Sequence, residues 1–289
     1  MRFAKYHGTG NDFILIEDLD DAVALTRSVV TAMCDRYRGI GGDGVIRVTK
    51  GREAPFGMDL WNADGGQAEM SGNGMRCLAR FLLDRELFEG TELDVDTPAG
   101  VKRVAITLDG GEMTGARVDM GPPGLTRAEI PMRGPADERF VGESFSDAGP
   151  DYRAAAVSMG NPHLVLVGGP DPESLDLPRV GPPLEHHPDF PERVNVEFLR
   201  IEGDRIDMRV WERGVGETLA CGTGACASLV AASLMGLAGR RATVRSAGGN
   251  LDVEWADDDH VYLAGPATFV FEGEVSEAWL AEQRQESRR

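Results

Sequence analysis

The chain has 289 residues, a formal net charge of −18 and 42% hydrophobic residues, enough for two domains of about 100 to 200 residues each. Mixed charge without a long low-complexity tract argues against a disordered chain, and an acidic balance with no basic, aromatic-interleaved stripe argues against nucleic acid as a partner. Four cysteines without paired spacing, and a start, "MRFAKYHGTGNDF", with no apolar signal core, fit a reducing cytoplasm better than a secreted disulfide framework.

Along the chain, "TRSVVTAMCDRY" reads as helix, "GIGGDG" at 39–44 as a turn and "GVIRV" as a strand. The turn satisfies G-x-G-x-x-G, but a dinucleotide-binding unit needs the strand before that motif and the helix after it. "MDLW" and "ELDVDT" read as strands on either side of a helix from about Asn73 to Phe88, and the Gly-Pro-Pro at 121 to 123 punctuates the join between halves. In the second half "VNVEFL" and "DMRVW" read as strands and a second helix runs from about Gly222 to Leu237. The stretch Leu219 to Gly239 carries no charge and is long enough to suggest a membrane span. Its Cys221, Thr223, Cys226, Ser228, Ser233 and glycines instead fit a buried helix with its N-terminal loop. "VYLAG" and "TFVFEG" either close the second half or return to complete the first, and "EAWLAEQRQESRR" reads as a frayed terminal helix.

One offset, 150 residues, recurs: Gly10-Asn11 in "GTGNDFILI" matches Gly160-Asn161 in "SMGNPHLVL". The same shift lays "MDLWNADGGQAEMSGNG" on "MRVWERGVGETLACGTG", pairing Met58 with Met208, Trp61 with Trp211, Gly66 with Gly216, Gly72 with Gly222 and Gly74 with Gly224. Ser71 falls on Cys221. A fixed register across both regions implies two similar halves rather than a coincidence of glycine-rich loops.

Each half therefore places a small nucleophilic side chain and a Gly-x-Gly at a helix start, where unpaired N–H groups and the helix dipole favour a carboxylate. That field lowers a cysteine from about 8.5 toward neutrality and makes Cys221 a usable base; a buried structural cysteine is the other reading of the same position. Two such loops facing one substrate suit proton transfer at a stereocentre, one group removing the α-proton and the other supplying one from the opposite face. Loop amides would stabilise the charge that develops on the substrate carboxylate. No cofactor is needed for that chemistry. The sequence has no G-x-x-x-x-G-K-[ST] loop, and His186-His187 in "PPLEHHPDFP" has no ligand constellation around it, so no metal is expected.

"HGTGNDF", "NADG", "GNGMRCLARF", "SMGNPH", "FPERVNVEF" and "ERGVGETLACGTGACA", in this order and over nearly the whole chain, resemble the diaminopimelate epimerase family of cofactor-independent two-cysteine amino-acid epimerases. The resemblance implies an α/β (α+β) fold of two pseudo-symmetric domains, 1–118 with 265–289 and 119–264, each a sheet wrapped around a central helix, with substrate in the cleft between them. It implies a cytoplasmic homodimer that interconverts LL- and meso-diaminopimelate, without nucleic acid or membrane partners. On this resemblance Cys221 and Ser71 take the positions of the two catalytic cysteines, and His163 and Glu212 those of the residues that tune them. Asn11, Asn62, Asn161, Asn195, Glu212 and Arg213 match substrate-binding positions, and Gly72-Asn73 and Gly222-Thr223 supply amides around the α-carboxylate.

Two departures stand out. Gly44 lies where some members carry a glutamine contact. Ser71 replaces a thiol by a hydroxyl, a far poorer base near neutral pH, and Cys77, inside the predicted helix and without a counterpart in the repeat, is no obvious substitute. Three readings of Ser71 stay open: a substitution that traps an otherwise ordinary epimerase, a natural Ser/Cys pair that still turns over, or one-sided chemistry such as dehydration of a β-hydroxy amino acid. A same-fold epimerase or isomerase acting on another amino acid, and a silent ligand-binding protein, are the remaining alternatives.

Overall fold

Parallel neighbours in a sheet need a long crossover between them, normally a helix, and this requirement organises both halves of the chain. The computed structural model describes residues 1–146 and 150–286. In the first half β1 (Arg2–Gly8) and β2 (Asn11–Glu17) form a hairpin, α1 (Arg27–Cys34) crosses over, and β3 (Gly44–Lys50) lies parallel to β2. β4 (Phe56–Asn62) returns antiparallel to β3 and pairs with the short β5 (Gln67–Ala68). α2 (Gly72–Asp84) then carries the chain to β6 (Glu92–Thr97), parallel to β4, followed by the antiparallel β7 (Gly100–Asp109) and β8 (Glu112–Asp119). The turn 39–43 thus sits between a helix and a strand, the reverse of a dinucleotide motif, as expected.

The second half repeats this order. β9 (Val141–Phe145) pairs with β10 (Tyr152–Ser158), which forms a hairpin with β11 (Pro162–Val167). α3 (Leu177–Glu185) crosses to β12 (Asn195–Glu202), parallel to β11; β13 (Arg205–Glu212) and β14 (Gly216–Thr218) follow antiparallel. α4 (Gly222–Leu234) leads to β15 (Arg241–Ser246), parallel to β13, then to β16 (Gly249–Trp255) and β17 (Val261–Gly265). β18 (Thr268–Glu274) returns to pair with β1, and α5 (Glu277–Glu286) ends the described chain. Of the two final strands, one therefore closes the second half and the other completes the first. The terminal helix is present over Glu277–Glu286 with Leu280 buried, while the last three residues of the expected helix lie outside the described residues.

The chain divides into two compact units, Met1–Val118 with Gly265–Arg289, and Asp119–Ala264. In each, one helix is the centre. Ten of the thirteen residues of α2 and of α4 are buried, and α4 packs against β9 to β13, β15 and β16, so its uncharged sequence marks a helix enclosed by its own sheet. No helix among the described residues is long and apolar enough to cross a membrane. The opposite face of the first sheet is covered by α1 and α5 through Ile14, Ile16, Val30, Met33, Val45 and Leu280. The corresponding face of the second packs Leu164, Leu166, Val196 and Phe198 against Leu177 and Leu184 of α3. Covered on both faces, these strands read as continuous apolar runs.

Both central helices stop earlier than the sequence suggests, at Asp84 and Leu234 rather than Phe88 and Leu237. The cause is the same in each. Leu87 N–H donates to Leu82 O at 2.9 Å and Glu86 N–H to Leu83 O at 3.0 Å; Leu237 N–H donates to Ala232 O at 2.9 Å and Gly236 N–H to Ser233 O at 3.0 Å. This paired closure, with Glu86 and Gly236 at φ 55° and 70°, caps the last carbonyls and turns the chain out of the helix.

Buried thiols couple this core to pH. Burial pushes Cys34 and Cys77 up from 9.0 to about 12. Their protons are therefore held by the folded chain and lost by the unfolded one between those values, so stability is fully present below about pH 9 and falls as pH rises toward 12. Each thiol should contribute a slope of ~1.4 kcal/mol per pH unit in that window. Urea unfolding of the native chain and of Cys77→Ala across this range should show a shallower decline in the variant; parallel curves would refute the assignment.

Candidate active site

In the first unit Ser71 is the N-cap of α2, extended at φ −145°, ψ 122°, and its Oγ accepts from Gly74 N–H at 3.1 Å. Hydroxyl caps of this kind satisfy one of the orphan donors of the first turn. Asn73, buried in that turn, donates from Nδ2 to Asn11 Oδ1 at 3.1 Å, and Asn11 donates to Asp43 Oδ2 at 2.8 Å. Behind them lies Arg76, fully buried, whose Nη2 donates to Asn73 Oδ1 at 2.8 Å and whose Nε donates to Pro266 O at 3.2 Å. Asn62 ends β4 with an exposed side chain, opposite Gly44 in the strand register. A Cβ on Gly44 would meet Trp61 O at 2.5 Å, so a side chain there would force this backbone to shift. Cys77 is fully buried within α2 and held in its thiol form by burial, so it does not substitute for Ser71.

In the second unit Cys221 takes the same place: it is the N-cap of α4 at φ −123°, ψ 115°, with Sγ accepting from Gly224 N–H at 3.3 Å. Thr223 Oγ1 lies 3.5 Å from that sulfur, and Asn161 Nδ2 donates to Thr223 Oγ1 at 3.3 Å. Asn161 and Thr223 are 62 positions apart, as are Asn11 and Asn73. His163, on β11, places Nε2 3.0 Å from Asn161 Oδ1 and Nδ1 2.6 Å from Glu197 Oε1. Asn195 Oδ1 accepts from Arg213 N–H at 2.9 Å, while its Nδ2 donates to Pro162 O at 2.8 Å. Arg213 Nη1 donates to Glu192 O at 3.2 Å, and Glu212 accepts from the Thr218 hydroxyl. Gly222 forms the first turn of α4.

The acidity expected for Cys221 is overturned. The thiol is 5% exposed, and burial pushes its pKa well above 9.0, with the Glu212 and Glu197 carboxylates adding to the rise; Thr223 and the Gly224 N–H pull the other way and do not prevail. Helix-start donors stabilise a thiolate only where desolvation and neighbouring anions do not outweigh them. At rest Cys221 is therefore a thiol, able to give a proton first.

Sequence reasoning missed Arg76 and Glu197. Arg76 stands in "GNGMRC" where a helix surface charge is the ordinary reading, and Glu197 in "VNVEF" where a strand usually turns its acid to solvent. The clue was positional. By strand register Glu197 corresponds to Ile46 and His163 to Phe13, so two polar residues occupy places that are apolar in the other copy.

Among solved structures, a probable proline racemase from Agrobacterium radiobacter K84 superposes with a TM-score of 0.69 at 16% identity, over 96% of this chain and 93% of its own, and the fold is accordingly of that two-domain epimerase type. The family model described as diaminopimelate epimerase matches residues 3–126 and 155–270. Diaminopimelate epimerases of Pelotomaculum thermopropionicum and Moorella thermoacetica are 45% and 46% identical to it, over 95% of this chain in both cases and 98% and 99% of theirs. The chain belongs to the diaminopimelate epimerase family.

Proposed function

We propose that the protein interconverts LL- and meso-2,6-diaminopimelate by passing the α-proton of one stereocentre between two acid–base groups, Cys221 and Ser71, in the synthesis of lysine and peptidoglycan precursors. The observation that carries this reading is the pair of helix caps: in matching places of the repeat, one presents a thiol and the other a hydroxyl, each accepting from the amide three residues on. Amides of Gly72, Asn73, Gly222 and Thr223 receive the α-carboxylate, with the dipoles of α2 and α4 behind them. Asn11, Asn62, Asn161, Asn195, Glu212 and Arg213 match the polar ends of a substrate that carries a second ammonium and carboxylate. The substrate's α-ammonium brings positive charge toward Cys221 and assists its ionisation. The reaction uses no cofactor, and the enzyme works in the cytoplasm as a homodimer.

The test is to incubate LL- and meso-diaminopimelate separately in heavy water. α-Deuterium incorporation followed by mass spectrometry should outpace inversion followed by chiral chromatography, and should favour the isomer that turns its α-hydrogen to Cys221. Binding of both isomers without exchange would leave a silent ligand-binding protein. Ser71 also favours a one-base reaction, the loss of water from a β-hydroxy amino acid; release of an enamine-derived keto acid from such a substrate, with no exchange of diaminopimelate, would establish it instead.

A further inference from the structure

Two-base chemistry leaves one buried acid of the second unit without a task. Glu197 and His163 are both fully buried, on adjacent strands. Glu197 Oε1 lies 2.6 Å from His163 Nδ1, while its Oε2 is buried with no hydrogen-bond partner among the described residues. A carboxylate so enclosed is costly unless its charge is used. The fold does not demand it, since Ile46 fills the corresponding place in the first unit: a Cβ on Gly74 would meet Ile46 Cδ1 at 3.1 Å, and one on Gly224 would meet Glu197 Oε1 at 2.7 Å.

Hydrogen-bond directions supply the task. Nδ1 of His163 faces the Glu197 carboxylate and Nε2 faces the amide oxygen of Asn161, so the ring is clamped between these two groups. With Oδ1 engaged, the Asn161 amide must direct Nδ2 to Thr223 Oγ1. That oxygen then accepts, and its own hydrogen is left for Cys221 Sγ. We propose that Glu197 is a positioning residue for the acid–base thiol: by fixing the His163 ring against Asn161, it orients that amide and through it the Thr223 hydroxyl as a donor to the Cys221 sulfur. The charged groups facing that sulfur are Glu212 from β13 and Glu197 from β12, and both oppose its ionisation. This inference rests on the acid–base role of Cys221 proposed above.

Glu197→Gln in the full chain tests it. The amide no longer fixes the ring as the carboxylate does, so the Asn161 amide can reverse and the Thr223 hydroxyl turn to Asn161. Because the Glu197 carboxylate itself opposes ionisation of Cys221, the readout is its coupling to Thr223 and not the rate in Glu197→Gln alone. The rate of Cys221 alkylation by iodoacetamide, followed by peptide mass spectrometry at fixed mildly alkaline pH and without substrate, should fall about tenfold on Thr223→Val in the native chain, the equivalent of one pH unit in the thiol. Thr223→Ser should keep the native rate, and Thr223→Val should cost little further in the Glu197→Gln background. An equal fall on Thr223→Val in both backgrounds would overturn the proposal. If Glu197→Gln does not fold, an equal rate in Thr223→Val and Thr223→Ser overturns it as well. Because no turnover is measured, the outcome is independent of whether diaminopimelate is the substrate.

Discussion

Replacing Cys221 by alanine is expected to remove both α-proton exchange and inversion, lowering each by about 10³-fold or more, within the range of a lost general acid–base group. Removal of the thiol leaves the α4 N-terminus with its amide donors but without a group able to accept or return a proton on that face. Ser71 does not compensate, because its hydroxyl accepts from Gly74 N–H and is a poor base. The fold should survive, since alanine fits the space and loses only the weak capping bond from Gly224 at 3.3 Å, a cost of about 1 kcal/mol. Deuterium exchange into each isomer, measured beside an unchanged thermal unfolding midpoint, checks the prediction. Wild-type exchange by the variant would remove Cys221 from the reaction.

Ser71→Cys is expected to act in the opposite direction, raising inversion by about 10²-fold or more while changing one-sided exchange much less. The sulfur has a ready place. Ser71 and Cys221 share an extended backbone and the same bond from the amide three residues on, 3.1 Å to oxygen and 3.3 Å to sulfur, so a thiol at 71 should take up the geometry that Cys221 already shows. Its surroundings differ. The strand positions behind it are Phe13 and Ile46 where the second unit has His163 and Glu197, so no local carboxylate of that pair opposes its ionisation. Chiral analysis of LL- and meso-diaminopimelate over time measures the gain. An inversion rate unmoved by the substitution would mean that Ser71 does not limit the reaction, and would favour the natural Ser/Cys pair that turns over unaided.

The two predictions share one physical asymmetry. Both halves build the same helix start, but one backs it with the buried His163 and Glu197 and the other with hydrocarbon. Burial and two carboxylates oppose the ionisation of Cys221. The Ser71 hydroxyl is harder still to ionise at any ordinary pH.

Much of this was legible from the residues. The offset of 150 identified the duplicated helix starts, the reversed order around "GIGGDG" removed a dinucleotide site, and small polar residues in Leu219 to Gly239 separated a buried helix from a membrane span. Patterning was less informative where local chemistry competes with topology. α3 was missed because Leu177–Glu185 contains Pro182 and Pro183, which remove donors from a helix interior; yet it starts 150 residues after α1, and a parallel pair such as β11 and β12 needs a crossover whatever its composition. The helix ends were overrun because Glu86 gives no sign of the left-handed turn that Gly236 makes plain.

Sequence by itself determined the duplication, the family and the identity of the two caps, since these are carried by residue types at fixed spacing. Tertiary structure alone decided what opposes the ionisation of Cys221 and where Glu197 lies. A pKa depends on distance to every neighbouring charge and on exclusion of water, and β11 and β12 bring His163 and Glu197 together across 34 positions of chain, a separation no local pattern records.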